Sequence, residues 1–343
     1  MTKSTRGRFF EDFDKGTVLR HATPRTVTEG DASVYIALTG DRRPLHSAAT
    51  VARALGYPRE SVHDLLVFHI VFGKTVADVS QNAVANLGYA DVRFLAPVFP
   101  GDTLRAESEV LGSRETSSGK SGIVWVRTRG LNQRDEEVLR YCRWVMVEKR
   151  GTAPTGANDA PALPKEVPAE ALRAPALDAT KLPGWATGAR ATFEDYEVGE
   201  RIHHVDGMTI EEADHMTATR LYQNTARVHF NQHQMAASRF QRRLVYGGHV
   251  VSLAYALAWN GLENAVGMLA WNGGSHVNPT LAGDTIYAYT DVVAKAPLDA
   301  GWGALRVKLH AAKNVDPSVE TLGDDDPRRV LALDCWLAVA RRV

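Results

Sequence analysis

Apolar positions along the chain fall into two kinds of run. Residues 65–79 are apolar nearly all round, through Leu65, Leu66, Val67, Phe68, Ile70, Val71, Phe72, Val76 and Ala77. A run of that length with no polar face predicts a buried helix and not a strand. Four shorter runs follow: Ala90 to Leu95, Asp102 to Leu111, Gly122 to Arg129 and Val138 to Val147. They are rich in β-branched and aromatic residues, are bounded by glycine or proline, and predict strands. The order then recurs as a helix through Val250 to Trp259 and strands at Ser275 to Val277, Thr285 to Val293, Ala304 to Ala311 and Val330 to Val339. One buried helix followed by antiparallel strands predicts an α+β unit whose sheet wraps the helix.

The recurrence extends to individual residues. Phe10-Glu11-Asp12-Phe13 with Gly16 returns as Phe193-Glu194-Asp195-Tyr196 with Gly199, 183 positions on. The same spacing carries Thr26-Val27, Glu29 and Asp31 onto Thr209-Ile210, Glu212 and Asp214, and His46 onto His229. Pro97 with Gly101-Asp102-Thr103 matches Pro279 with Gly283-Asp284-Thr285. Matches kept in order imply a duplicated unit. The predicted division is 8–150, a connector at 151–184, and 190–343. The connector holds six prolines (Pro154, Pro161, Pro164, Pro168, Pro175 and Pro183) and reads as semi-extended surface chain with a short helix near Glu166 to Arg173. Its length leaves the relative placement of the two units open.

Forty basic and forty acidic residues cancel, so neither nucleic acid nor an anionic membrane surface is implied as a partner. No apolar run approaches the roughly 18–20 residues of a membrane span, and the charged start MTKSTRGRFFEDFDKG has no apolar core of a secretory signal. The two cysteines, Cys142 and Cys335, lie in apolar strand-like segments and read as buried free thiols. A cytoplasmic protein is the expectation.

Candidate chemistry concentrates in Gly40-Asp41-Arg42-Arg43-Pro44-Leu45-His46. Proline fixes its own φ and biases Arg43 away from the helical region, so the segment predicts a stiff turn. In such a turn the carboxylate of Asp41 and the imidazole of His46 can converge on one volume, as acid–base work requires.

This segment resembles the hydratase motif of the MaoC-like, R-specific enoyl-CoA hydratases, and the resemblance spans both units. It implies a double hotdog, each half a long central helix enclosed by an antiparallel sheet. It implies an acyl-CoA substrate, no metal or other cofactor, and self-association into a homo-oligomer. Two departures from the family pattern stand out. Arg43 occupies the position before the proline where the family has Asn. His63 is followed by Asp64 where the family has glycine at the start of the central helix.

The resemblance implies reversible hydration of an enoyl thioester, with the substrate of the most similar members a branched five-carbon dicarboxylic acyl-CoA. Asp41 and His46 would share the proton transfers, and the backbone N–H of Asp64 would bond the developing enolate oxygen. Arg43, and less strongly Arg42, would hold the free carboxylate of such a substrate. For Arg43 a CoA phosphate contact or mere solvation of the turn weighs about equally. His63 would orient the turn or contact substrate. Asn224 stands where the first unit has Asp41, and a neutral amide cannot accept a proton at pH 7. The second unit is therefore expected to be catalytically silent and to help shape an acyl or CoA cleft. Alternatives are hydration of another enoyl-CoA, thioester hydrolysis of the hotdog type, and acyl-CoA binding without catalysis. His69 reads as a buried structural histidine, Lys74 as a side chain snorkelling to the surface, and His229 and His233 in HFNQH as too few for a metal site.

Overall fold

The computed structural model describes residues 3–342. The first half contains β1 (Val18–Thr26), α1 (Glu29–Thr39), α2 (Pro44–Ser47), α3 (Ala49–Leu55), α4 (Asp64–Thr75), β2 (Ala83–Phe94), β3 (Thr103–Glu115), β4 (Ser121–Leu131) and β5 (Glu137–Glu148). A short α5 (Gly184–Thr187) closes the connector. The second half contains β6 (Arg201–Thr209), α6 (Glu212–Leu221), α7 (Arg227–Phe230), α8 (Gln232–Met235), α9 (Gly247–Leu257), β7 (Ala265–His276), β8 (Thr285–Pro297), β9 (Trp302–Lys313) and β10 (Arg329–Ala340).

All ten strands form one antiparallel sheet in the order β1-β3-β4-β5-β2-β7-β10-β9-β8-β6. Each half contributes five neighbouring strands, and the halves meet where Tyr89 pairs with Gly274 and Val92 with Trp271. The sheet wraps two central helices. α4 packs against β1, β3 and β5, while α9 packs against β6, β8, β9 and β10. This is the α+β double hotdog expected from the sequence.

The absence of a polar face explains why α4 lies inside. Leu65 through Thr75 are all buried, and one apolar core runs from Leu66, Phe68 and Val71 of α4 to Val250, Leu253 and Ala254 of α9. Each such leucine or phenylalanine contributes about 1.5–3 kcal/mol on burial. The approach of the halves is close enough to demand glycine at one point. A Cβ on Gly73 would stand 1.8 Å from the carbonyl oxygen of Tyr222.

Several expectations change. The first buried helix ends at Thr75, and Val76–Ser80 continue as a wider π-type turn. β2 begins at Ala83 and β7 at Ala265, well before the predicted strands, because neither shows the period-two alternation that marks a half-exposed strand: β2 is mostly half-buried and β7 is buried along most of its length. Nor is the connector loose. Val167, Leu177 and Ala179 are buried in a second apolar cluster with Leu45, Leu55, Trp302 and Trp336. The indole N–H groups of Trp302 and Trp336 donate to the carbonyls of Leu177 (2.8 Å) and Val167 (3.1 Å). The predicted connector helix is a single 3-10 turn, Ala169–Ala171. Lys74 is buried, its ammonium donating to the Thr23 carbonyl, and does not snorkel. Both cysteines are buried and free. No helix among the described residues is long and apolar enough to cross a membrane.

Candidate active site

Local structure delivers the motif to the core. Thr28 caps α1, accepting from the Asp31 N–H while the Asp31 carboxylate accepts from the Thr28 N–H. The helix stops at Gly40, whose φ of +67° is left-handed and natural to glycine. The chain therefore turns sharply inward at Asp41. The Asp41 Oδ1 accepts the Arg43 N–H at 2.9 Å, and Pro44 starts the single turn of α2 that presents His46.

Four side chains of this segment and the helix tip are almost fully buried: Asp41 (5% exposed), Arg43 (0%), His46 (4%) and His63 (3%). Asp41 Oδ2 accepts from Nη1 of Arg43 and lies 3.6 Å from Nε2 of His63. The His63 and His46 rings face each other at 4.5 Å between centroids. His63 thus stands between the two residues that the sequence pairs directly, and no direct Asp41–His46 hydrogen bond is made among the described residues.

Hydrogen-bond partners assign the tautomers. His63 caps α4 by accepting the Leu65 N–H on Nδ1 at 3.1 Å, so its proton sits on Nε2, toward Asp41. His46 Nδ1 lies 3.1 Å from Ser61 Oγ and 3.2 Å from the Ser61 carbonyl; the carbonyl can only accept, so Nδ1 donates, which leaves the lone pair of Nε2 without a partner. Burial, with His63 alongside, pushes His46 down to about 4. Burial alone would raise the Asp41 carboxyl, but the Arg43 guanidinium and His63 outweigh it and hold the group well below the usual carboxylate range. At neutral pH the cluster contains a permanent carboxylate and neutral imidazole at His46.

Arg43 needs correction. Its Nε donates to the Ala265 carbonyl and Nη2 to the Tyr255 carbonyl, both at 3.1 Å, Nη1 goes to Asp41, and the guanidinium lies 3.4 Å over the Tyr255 ring. With every nitrogen engaged and no exposure, Arg43 is not a substrate clamp but the internal counter-ion of Asp41. Arg42 is exposed. Asp64 is the first residue of α4, where a backbone N–H has no partner within the helix. Its half-buried carboxylate accepts from the Met268 N–H at 2.9 Å, tying the helix tip to β7 of the other half, and burial raises its pKa.

The chain matches its relatives over nearly its whole length. A family model described as mesaconyl-CoA hydratase matches residues 1–318. The chain belongs to the mesaconyl-CoA hydratase family. A β-methylmalyl-CoA dehydratase of Chloroflexus aurantiacus is 51% identical over 348 residues, covering 99% of each chain. A mesaconyl-CoA hydratase of Cereibacter sphaeroides is 52% identical over 346 residues, covering 99% of this chain and 100% of that one. Among solved structures, a MaoC domain protein dehydratase from Chloroflexus aurantiacus superposes with a TM-score of 0.96 at 49% identity over all of both chains. A double-hotdog protein from Mycobacterium tuberculosis gives 0.78 at 28% identity, covering 98% of each.

The mesaconyl-CoA hydratase fold buries histidines in number, with a consequence for pH. Burial holds His46, His229 and His276 at about 4 and His249 at about 3, against 6.5 unfolded. Between these values the unfolded chain binds the extra protons, so stability is full above pH 6.5 and is lost as pH falls toward 4. Each histidine contributes a slope of up to about 1.4 kcal/mol per pH unit in that window. Thermal denaturation is therefore expected to show a Tm markedly lower at pH 5 than at pH 7.5. A Tm that stays level would contradict the buried neutral histidines.

Proposed function

We propose that the protein catalyses the reversible hydration of mesaconyl-CoA to β-methylmalyl-CoA, with the proton transfers carried out in the first half. The observation that carries this reading is the partnerless Nε2 lone pair of His46, buried beside the tip of α4. Full-length identity above 50% to proteins of that activity supports the substrate.

In this reading Nε2 of His46 takes a proton from water as the water oxygen bonds to the β-carbon. Electron density moves onto the thioester oxygen, where the Asp64 N–H stabilises it. The imidazolium then returns its proton to the α-carbon, so water has added across one face of the double bond. Asp41 does not itself move the proton, since Arg43 and His63 hold it ionised. It supplies the negative charge that keeps His63 oriented and offsets the transient imidazolium. His63 spans the gap between them. Arg42 is left as a contact for CoA phosphate or solvent.

Incubation with mesaconyl-CoA or crotonyl-CoA, followed by mass spectrometry, tests the reaction. Gain of one water on mesaconyl-CoA is expected. Release of free CoA thiol without that gain would replace the reading with thioester hydrolysis. Self-association belongs to the same reading, because the end strands β1 and β6 leave unpaired backbone and expose Val18 and Val205. Light scattering is expected to give a mass above the 37.5 kDa of one chain, and a monomer would remove that part.

A further inference from the structure

A cavity of about 670 Å³ lies between the two halves at the tip of α9. Its polar lining includes Arg143, Asn224, His229 and His276, and its walls include Phe72 and Val250. Arg143, on β5, is 0% exposed. Its Nη2 donates to Thr75 Oγ1 at 2.7 Å, while Nε and Nη1 have no partner. The ionisable groups acting on it are Tyr141, Tyr89 and Tyr246, with no carboxylate among them. A buried guanidinium without a counter-ion costs several kcal/mol by order of magnitude.

Internal symmetry sharpens the contrast. Arg43 lies over Tyr255 near the end of α9, and Arg143 lies 4.3 Å over Phe72 near the end of α4. Phe72 and Tyr255 are 183 positions apart, the spacing of the duplication. Both arginines belong to the first half, yet each sets its guanidinium over the same ring position of a central helix, Arg43 on α9 and Arg143 on α4, one beside each half's turn. In the first half Asp41 neutralises it. In the second, Asn224 stands in Asp41's place, its Oδ1 accepting the Ala226 N–H at 3.1 Å as Asp41 accepts that of Arg43. The positive charge of Arg143 is left for something else.

We propose that this cavity is a carboxylate-binding site in which Arg143 pairs with the carboxylate of a short dicarboxylic acid or of its acyl thioester. The inference goes beyond the proposed function, since it gives a ligand to the half that lacks the acidic residue. Apolar walls around the buried guanidinium of Arg143, with Arg239 also on the lining, suit an anion carried on a short hydrocarbon chain better than a hydrated inorganic anion. Asn224 is neutral and does not repel such an anion. His229 donates Nδ1–H to the Leu244 carbonyl at 2.9 Å, which keeps its Nε2 free to accept from a hydroxyl of the ligand.

Calorimetric titration of His46→Ala protein, in which turnover is slowed by roughly 10²–10⁴, tests this with three probes: free mesaconate, mesaconyl-CoA and crotonyl-CoA. Adding Arg143→Gln is expected to weaken mesaconate or mesaconyl-CoA at least tenfold, Arg143→Lys to weaken it less, and crotonyl-CoA, with no free carboxylate, to be unaffected. Loss with mesaconate identifies the free acid as occupant, and loss with the thioester alone identifies the thioester. Unchanged affinity for both overturns the assignment. Arg143→Gln removes an uncompensated charge, so its Tm is expected to equal or exceed that of the parent. A large fall in Tm would make Arg143 structural and would also overturn the site. Failure of the unaltered protein to hydrate mesaconyl-CoA would sink the proposed function and leave the mesaconate titration as an independent test.

Discussion

Asp41→Asn is expected to destabilise the fold by about 3–5 kcal/mol, because it strands the buried Arg43 guanidinium without its counter-ion. Arg43→Ala is expected to cost a similar amount by leaving the carboxylate unpaired. The double variant Asp41→Asn/Arg43→Ala is expected to cost clearly less than the sum, and the molecule supplies the reason. At the equivalent positions the second half holds Asn224 and Ala226, and that turn keeps its backbone hydrogen bond with neither charge present. A double-mutant cycle by urea denaturation measures the coupling. Additive costs would show that Arg43 and Asp41 do not act as a pair.

His46→Ala is expected to lower kcat for mesaconyl-CoA hydration by roughly 10²–10⁴, the range for a positioned proton carrier. The loss falls on kcat more than on KM, because the side chain acts on the proton in transit and not on the bulk of the thioester. The unaltered enzyme carries a second signature. With His46 pushed down to about 4, the acid limb of kcat/KM lies well below 6.5, and the base is fully active from pH 5.5 upward. Hydration rates within tenfold of the parent in folded His46→Ala protein would remove His46 from the chemistry.

Much of the architecture was legible in the sequence because burial writes itself into composition. α4 and α9 are apolar on every side, and only a helix wrapped by a sheet satisfies that. The duplication was legible from paired residues at constant spacing. The junction of the halves was not, since neither β2, mostly half-buried, nor β7, mostly buried, shows the alternation by which a strand is read. The connector misled for a related reason. Six prolines suggest open chain, yet Val167 and Leu177 are spaced to dock on Trp336 and Trp302, a contact that only the folded sheet reveals.

The candidate site divides in the same way. Asp41, His46, His63 and Asp64 could be named because they belong to one turn and one helix start, close along the chain. Partners distant in sequence could not. Arg43 is claimed by the carbonyls of Ala265 and Tyr255, more than 200 positions away, and no local pattern distinguishes that fate from a substrate clamp. Arg143 gave no signal, because within the strand Tyr141-Cys142-Arg143-Trp144 it reads as one of many solvent-facing arginines. Its significance comes from the missing carboxylate opposite it.

The seam between β2 and β7 sets the unit of inheritance for this molecule. Each half alone would leave β2 or β7 with an unpaired edge and the facing sides of α4 and α9 uncovered, so the two are expected to fold as one body. Such a bond lets the two copies differ in chemistry while sharing one scaffold, as Asp41 and Arg43 differ from Asn224 and Ala226.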